Sequence, residues 1–453
     1  MSSVSFIRYD ASFGKAYTLS SSTKKILKNV DDVVTIKFFA SSDLPTRLLP
    51  LKNDVVDLLN EFKKVNKGRI NIKILDPKKD QNATAEVKES GIPELQFSQL
   101  ERDKYAVTAS YFGIALSYGD KKEVLPQVTD VESLEYNLTG AIYKLTKKET
   151  VRIGIIGQQD YRNPNEDSLS KFKEVMRQQY DISFLDMSSK SATKIIDTAY
   201  KTILIFDTNK KEFDPQEIQA IKIYLDNGGK AIFFVDGVWV EDNLLAAPAK
   251  HNLLSLLSDY GIKLNTNLVL STSAELVNFG NGLVSFLSPY PFWVKTNVFD
   301  AKSSYFSNIQ QLTFPWVSSL EGNALVKTTK RSWEQKDNYI LNPQGIPQPQ
   351  MNDLKEFTIV VESKEKKVVV IPSSRFIMDR FQTKNSGNLE FILNIVNDYA
   401  SNGALSGIRQ RAVSFYPIPD LPDNQKEIFK YGNILLLPLL FGLFGAFRFM
   451  KRK

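Results

Sequence analysis

The stretch 214–237, DPQEIQAIKIYLDNGGKAIFFVDG, decides the fold. Asp214 carries the short oxygen-bearing side chain that caps a helix, and Pro215 suits the first helical position. Gly228-Gly229 supplies the stop, where a left-handed residue is needed. The run Ala231–Val235 that follows has no polar side chain. It therefore predicts a strand covered on both faces. The same alternation surrounds it. VRIGIIG (151–157) reads as an apolar strand ending in Gly, DSLSKFKEVMRQQY (167–180) as a helix, and DISFLDM (181–187) and KTILIFDT (201–208) as strands. NLLSLLSDYGIKL (252–264) adds a helix and a turn. EFTIVVESKEKKVVVIPSSRFIMDR (356–380) predicts a hairpin turning at Ser363–Lys366, and GNLEFILNIVNDYASNG (387–403) a closing helix. Strands without a polar face that alternate with helices predict a parallel sheet with helices on both sides.

Upstream, the first 148 residues read as mixed α/β. VVTIKFF (33–39) is β-branched and aromatic, hence a strand. LLPLKNDVVDLLNEFKKVN (48–66) puts Leu51, Val55, Leu58, Leu59 and Phe62 at helical spacing. RINIKILDP (69–77) is a second strand, so the three elements predict a βαβ unit with parallel strands. The stretch 94–128 reads as an antiparallel meander, and 130–149 as a helix with Leu134, Leu138, Ile142 and Leu145 on one face. DPKKDQNATAE (76–86) offers several oxygen ligands but lacks the Gly and spacing of a calcium loop, so a solvated turn is expected. From about 266 to 356 the pattern dissolves into Ser, Asn, Pro and aromatics, which predicts an irregular insertion. Trp293, Trp316 and Trp333 fall in it and read as its core, with a binding surface as the alternative.

Composition excludes whole classes of chemistry. The 453 residues include no Cys and one His, His251. Thiol nucleophiles, disulfides, thiolate metal sites and two-His metal motifs are therefore out. His251, near the start of a helix, is expected to be a solvated surface residue. No Walker A loop, dinucleotide fingerprint or G-x-S-x-G elbow occurs. The formal charge of +7 is spread among interspersed Lys and Glu with no continuous basic stripe, which argues against nucleic acid. No metal site and no cofactor is predicted.

Ligands of doubly wound sheets bind at the carboxyl ends of the strands. Those ends here carry Gln158, Asp160, Asp207, Asp236, Ser373 and Arg375. Asp207 and Asp236 could form an acid/base pair, and Arg375 could hold an anion. The plainer reading is that an Asp after a strand caps a helix or makes a turn.

The chain ends NILLLPLLFGLFGAFRFMKRK (433–453), after the Pro-rich linker PIPDLPDNQKE. Ile434, Leu437, Leu440, Phe444 and Phe447 belong to an uncharged run, and Arg448 can snorkel to extend it. A spanning helix needs about 20 apolar residues, and this stretched run predicts one over 432–450. Arg448, Lys451, Arg452 and Lys453 then place the C-terminus in the cytoplasm and residues 1–430 outside. That topology requires an N-terminal export element, which the stretch beginning MSSVSFIRYDASFGKAYTLS does not show. The tail therefore reads as one of a pair whose partner is missing from this chain. If the loss is genuine, the large domain is cytoplasmic instead.

An ordered series of segments carries a family resemblance. YTLSSSTKKILKN (17–29), VVTIKFFASSDLP (33–45), GRINIKILDPKKD (68–80) and LEYNLTGAIYKLTKKETVRIGIIG (134–157) open it. FDPQEIQAIKIYLDNGGKAIFFVDG (213–237), KVVVIPSSRFIMD (367–379) and NLEFILNIVNDY (388–399) continue it. The series resembles the GldG-like auxiliary component of uncharacterised ABC transport systems associated with gliding motility. It covers nearly the whole chain and is weakest across 266–356. The resemblance implies a non-catalytic, membrane-anchored subunit beside an ABC permease and a separately encoded ABC ATPase. It places the subunit in the bacterial cytoplasmic membrane, with the large domain periplasmic. It also implies a thioredoxin-like first domain over 1–148 and a class I glutamine amidotransferase-like second domain over 149–413. A linker over 414–431, the membrane helix and a basic tail over 451–453 complete the chain. The loop after the first strand, ASSDLP, has no C-x-x-C, so redox chemistry is absent by residue type. Family members often carry a Gly-His-type motif where this chain has GQQDYRNPNED. Three functions are thus set against one another: an adaptor in a transporter, a subunit binding a small molecule, glycan or peptide at the sheet's carboxyl edge, and an enzyme using Asp207, Asp236 or Ser373.

Overall fold

The computed structural model describes residues 18–101, 104–128, 134–147, 151–158, 167–177, 179–187, 195–207, 212–280, 285–307, 309–383 and 386–401, together with residues 427, 430–432, 434–435, 438 and 450. Residues 1–412 form one compact unit and residues 413–453 a second.

The chain enters through α1 (Ser21–Lys28), β1 (Val34–Ala40), α2 (Leu49–Val65), β2 (Ile70–Leu75) and α3 (Gln81–Glu89). Four strands follow, β3 (Leu95–Glu101), β4 (Lys104–Ser110), β5 (Phe112–Tyr118) and β6 (Lys121–Leu125), and then α4 (Leu134–Thr146). The first sheet runs β2-β1-β5-β6, with β1 and β2 parallel as the βαβ spacing predicts. Val55, Leu58, Leu59 and Phe62 of α2 are buried as the helical spacing requires, and Phe38 meets Phe112 edge-on at 5.2 Å. Two expectations fail. The meander is two separate hairpins: β3 and β4 pair only with each other, and β5 turns to β1. The chain breaks at Tyr111, whose N–H and C=O both bond Ser41, and Phe112, Ile114 and Leu116 beyond it bury against β1. The stretch 76–86 is not merely a turn. Asp80 accepts from Asn82 N at 2.9 Å and caps α3, whose Ala83 and Val87 are buried.

The second sheet belongs to β7 (Arg152–Ile156), α5 (Ser170–Arg177), β8 (Asp181–Phe184), β9 (Tyr200–Phe206), α6 (Pro215–Asp226) and β10 (Ala231–Phe234). Next come β11 (Val238–Val240), β12 (Ala246–Pro248), α7 (Leu254–Asp259), β13 (Lys263–Leu264), β14 (Leu268–Ser271), β15 (Ala274–Gly280) and β16 (Ser285–Thr296). The remainder is β17 (Val298–Phe299), β18 (Leu312–Pro315), β19 (Leu320–Glu321), β20 (Asn323–Lys327), β21 (Ser332–Gln335), β22 (Thr358–Glu362), β23 (Val368–Ile371) and α8 (Asn388–Ser401). The order is β17-β20-β22-β23-β10-β9-β7-β8. The five strands from β23 to β8 are parallel, while β22, β20 and β17 extend the sheet antiparallel. Both faces are covered, which is why these strands carry no polar face. Ile203, Ile205, Phe233 and Val370 pack with Ile221 and Leu225 of α6. Leu204, Phe206, Phe234 and Ile371 lie in the other cluster, with Phe391 and Ile395 of α8, and Phe206 stacks on Phe234 at 4.4 Å.

The region 266–356 is not irregular. Two of its strands, β17 and β20, join the large sheet, and others build short sheets around Tyr290, Phe292, Trp316 and Trp333, all buried, with Trp293 packed against them. Sequence patterning misses it because several strands span only two to five residues and Pro289, Pro291 and Pro315 lie inside them. A Pro within a run removes a ladder donor and demotes it as a strand. Among the described residues no helix is long and apolar enough to cross a membrane. The predicted span lies mostly outside them. Ile434 is helical and 58% exposed, whereas Leu437, Leu440, Phe444, Phe447, Arg448, Lys451, Arg452 and Lys453 are not among the described residues.

Candidate functional site

In the parallel sheet β7 has its sequence successor β8 on one side and β9 on the other. That reversal is the topological switch point where such sheets bind ligands. Gly157 ends β7 at φ +83°, and a Cβ there would lie 2.0 Å from Phe206 O. Only glycine permits this close crossing of β7 past the end of β9. Gln158, half-buried, follows it. Asp160 lies outside the described residues.

Asp207 and Asp236 follow β9 and β10, and both are 3% exposed. Asp207 N donates to Phe234 O at 2.9 Å, which continues the ladder past the strand end. Asp236 Oδ1 accepts from Ser374 N at 3.0 Å, and the Ser374 hydroxyl lies close to the same carboxyl. Its Oδ2 has no hydrogen-bond partner among the described residues. Burial pushes the Asp236 carboxyl up to about 6, and Asp207 adds to the rise. Ser374 and the Arg375 charge oppose it. Asp236 is thus near half-protonation at a pH of about 6, and the Asp207 charge is the smallest of the influences on it.

The loop after β23 carries the other predicted residues, and it uses them for packing. Ser373 Oγ donates to Pro315 O at 2.7 Å and is fully buried, so its hydroxyl is already committed to a carbonyl. Arg375 is 7% exposed and donates to Val240 O. Its guanidinium lies 4.4 Å from the Trp239 ring, 5.1 Å from Trp316 and 5.7 Å from Phe381. Such an aromatic enclosure stabilises a cation. Burial draws its pKa down, while Asp236 and Asp242 oppose the shift.

His251 is not the solvated surface residue its sequence context suggests. It is half-buried against the backbone of Asp236, and burial holds its imidazole below the usual value. Its Nδ1 is buried without a partner among the described residues. The β11–β12 hairpin explains the approach. It folds the chain back so that Ala249 N donates to Gly237 O at 3.1 Å, which returns His251 to the end of β10. No spacing rule reveals this, because fourteen-odd intervening residues form a return path visible only in three dimensions. The ensemble brings together a buried carboxyl whose pKa is raised, a half-buried imidazole whose pKa is lowered, and buried hydroxyls.

Residues 150–395 match the family described as an ABC-type uncharacterized transport system, and residues 14–117 match a domain of unknown function. An uncharacterized protein of Borreliella burgdorferi is 24% identical over an alignment that takes in 100% of this chain and 94% of its own. A ThuA-like protein from Parabacteroides merdae overlaps 60% of this chain and 94% of its own at 10% identity and a TM-score of 0.28. A glutamine amidotransferase from Thermotoga maritima overlaps 56% of this chain and 99% of its own at 9% identity and the same TM-score, 0.28. Overlaps that loose carry no argument about chemistry.

Proposed function

The chain belongs to the ABC-type uncharacterized transport system family, and on that premise we propose that it is a non-catalytic, membrane-anchored accessory subunit of an ABC transporter. The observation that carries the reading is the family match across 150–395, the stretch that forms the large sheet. The uncharged run of the tail with its basic end supports an anchor in the cytoplasmic membrane and a C-terminus inside the cell. On that topology the large unit is extracytoplasmic and works beside a permease and a separately encoded ATPase, as in gliding-motility-type systems. The βαβ unit followed by the antiparallel β5–β6 pair and α4, with strand order β2-β1-β5-β6, supports a thioredoxin-like first domain. The commitment of Ser373 to Pro315 O and the enclosure of Arg375 by three rings support a scaffold rather than a catalyst.

Affinity purification of the full chain from detergent-solubilised membranes tests the proposal. It is expected to recover an ABC permease and an ABC ATPase in stable proportion. Recovery of the chain free of both would sink it. A second reading, a subunit that binds a small molecule, glycan or peptide at the sheet's carboxyl edge, is favoured by the buried, unpartnered Asp236 Oδ2 there. Saturable thermal stabilisation by one ligand class, lost in Asp236→Ala, is its test.

A further inference from the structure

The β15–β16 hairpin breaks the rule that a half-covered sheet alternates apolar-in with polar-out. One face is accounted for: Val277 and Phe279 pack against the cluster of Tyr290, Phe292 and Trp316, and Phe279 meets Tyr290 at 5.0 Å. The other face is apolar as well. The register pairs Leu276 with Pro289 and Asn278 with Leu287, and all four are exposed, Leu276 at 52% and Leu287 at 63%. Phe286, near the far end, stacks on Phe279 at 5.8 Å on the packed side and is still 45% exposed. No charged residue occurs between Glu275 and Lys295. Among the described residues each strand of the hairpin beyond the bulge after Ala274 pairs only with the other, and an isolated two-stranded ribbon is marginal in water unless something covers it.

The charges gather at the foot. Lys295 N donates to Ser273 O at 2.9 Å, and Thr272 N donates to Arg331 O at 3.1 Å. Lys330 and Arg331, both exposed, thus stand at the base, as does Lys295, which is partly exposed with Glu275 beside it at 4.0 Å. An uncharged apolar projection above a basic collar is the distribution that suits an anionic bilayer surface, with aliphatic and aromatic side chains at the acyl boundary and cations at the headgroups.

We propose that the outward face of this hairpin, Leu276, Leu287 and Pro289, docks on an anionic lipid surface, with the exposed Lys330 and Arg331, and Lys295 beside them, against the headgroups. The contact goes beyond the accessory-subunit reading and leans on it only in that an anchor keeps the hairpin near a bilayer. It is a second, reversible membrane contact.

The absence of Cys makes the test clean. The full chain carrying Leu287→Cys, labelled with an environment-sensitive fluorophore, is reconstituted into vesicles of phosphatidylcholine and phosphatidylglycerol. Expected are a blue-shifted emission, quenching by brominated lipid of about twofold or more, and protection from aqueous iodide. A label at the exposed Lys88 of α3 serves as the reference and should show none of these. Wholly neutral vesicles, or Lys295→Gln with Arg331→Gln, should weaken the signal severalfold. Iodide quenching at 287 equal to that at 88 would overturn the proposal. So would a blue shift without lipid quenching, since a protein surface would then be the occupant. An undiminished signal in neutral vesicles would overturn the assignment to anionic headgroups. Flotation of the same labelled chain reports the tail anchor separately, so a failed anchor and a failed hairpin contact give different results.

Discussion

Ser374 N donates to Asp236 Oδ1 at 3.0 Å, tying the loop after β23 to the end of β10 across the parallel sheet. The bond holds a carboxyl that burial would rather keep neutral. In the folded chain its pKa is raised from 3.8 to about 6. Below about pH 4 the group is protonated in both folded and unfolded states and costs nothing. Above it the unfolded chain ionises first, so stability falls as pH rises through the window and levels off beyond about pH 6.

The first prediction follows from that window. Asp236→Asn keeps an oxygen acceptor for Ser374 N and removes the charge. Relative to the parent, the variant should gain up to about 3 kcal/mol between pH 4 and pH 7, from the shift of roughly two pKa units. Urea titrations at the two pH values measure it. A constant difference between parent and variant would show that Asp236 does not titrate in that range.

Gly157 is the second. Its φ of +83° and the 2.0 Å approach of a built Cβ to Phe206 O leave no room for a side chain, and the obstacle is backbone. Gly157→Ala should lose at least about 2 kcal/mol from the left-handed backbone and the clash together, or fail to accumulate folded. Wild-type thermal stability in the alanine variant would mean that β7 does not end against β9 in this way.

How much of this was legible in the sequence depends on where each signal resides. Asp214 and Pro215 announce α6 locally, and Asp214 caps it as expected by accepting from Gln216 N at 2.9 Å. The capping box completed by Glu217 Oε2, which accepts from Asp214 N at 2.8 Å, is an addition of the structure. The apolar runs of β9, β10 and β23 likewise carry their two-sided burial in their composition. The predicted positions Asp207 and Asp236 come together because a parallel sheet brings strand ends to one edge. What patterning misses is long-range. Nothing near His251 says that β11 and β12 fold it back to Asp236. Nothing in the Pro-broken stretch 285–296 says that it is a twelve-residue strand held by a distant aromatic cluster. The roles of Ser373 and Arg375 turn on Pro315 O and on the rings of Trp239, Trp316 and Phe381, which sequence distance hides.

The third prediction concerns α4. Glu135 is fully buried, and its Oε1 accepts from Ser20 N and from Thr23 Oγ1, each at 2.8 Å. These bonds hold the N-terminal end of α1 against α4, where Ser20 also caps α1 by accepting from Thr23 N at 3.1 Å. Glu135→Ala would strand the buried Ser20 N–H and leave Thr23 Oγ1 only the Thr139 hydroxyl at 3.1 Å as an acceptor, and should lower unfolding free energy by about 2–3 kcal/mol. Glu135→Gln keeps one acceptor oxygen and should cost roughly 1 kcal/mol. Equal losses in the two variants, read by urea unfolding at pH 7, would contradict this division of labour.

The last prediction separates the anchor from the fold. Residues 1–412 form their own compact unit, and the sequence between that unit and the tail is the Pro-rich linker. Deleting 432–453 should therefore leave the thermal midpoint of the large unit within about 2 °C of the parent, since surface changes away from the core rarely exceed about 0.5 kcal/mol. Fractionation should change far more. The full chain should stay with membranes through a high-salt wash, because only apolar insertion resists both dilution and screening. The truncated chain should move to the soluble fraction in the same wash, since a surface hairpin with a basic collar makes a contact that salt weakens. If the truncated chain still sedimented with membranes in high salt, the tail would not be the anchor. If it left the membrane but also melted many degrees lower, the tail would be part of the fold rather than an attachment to it.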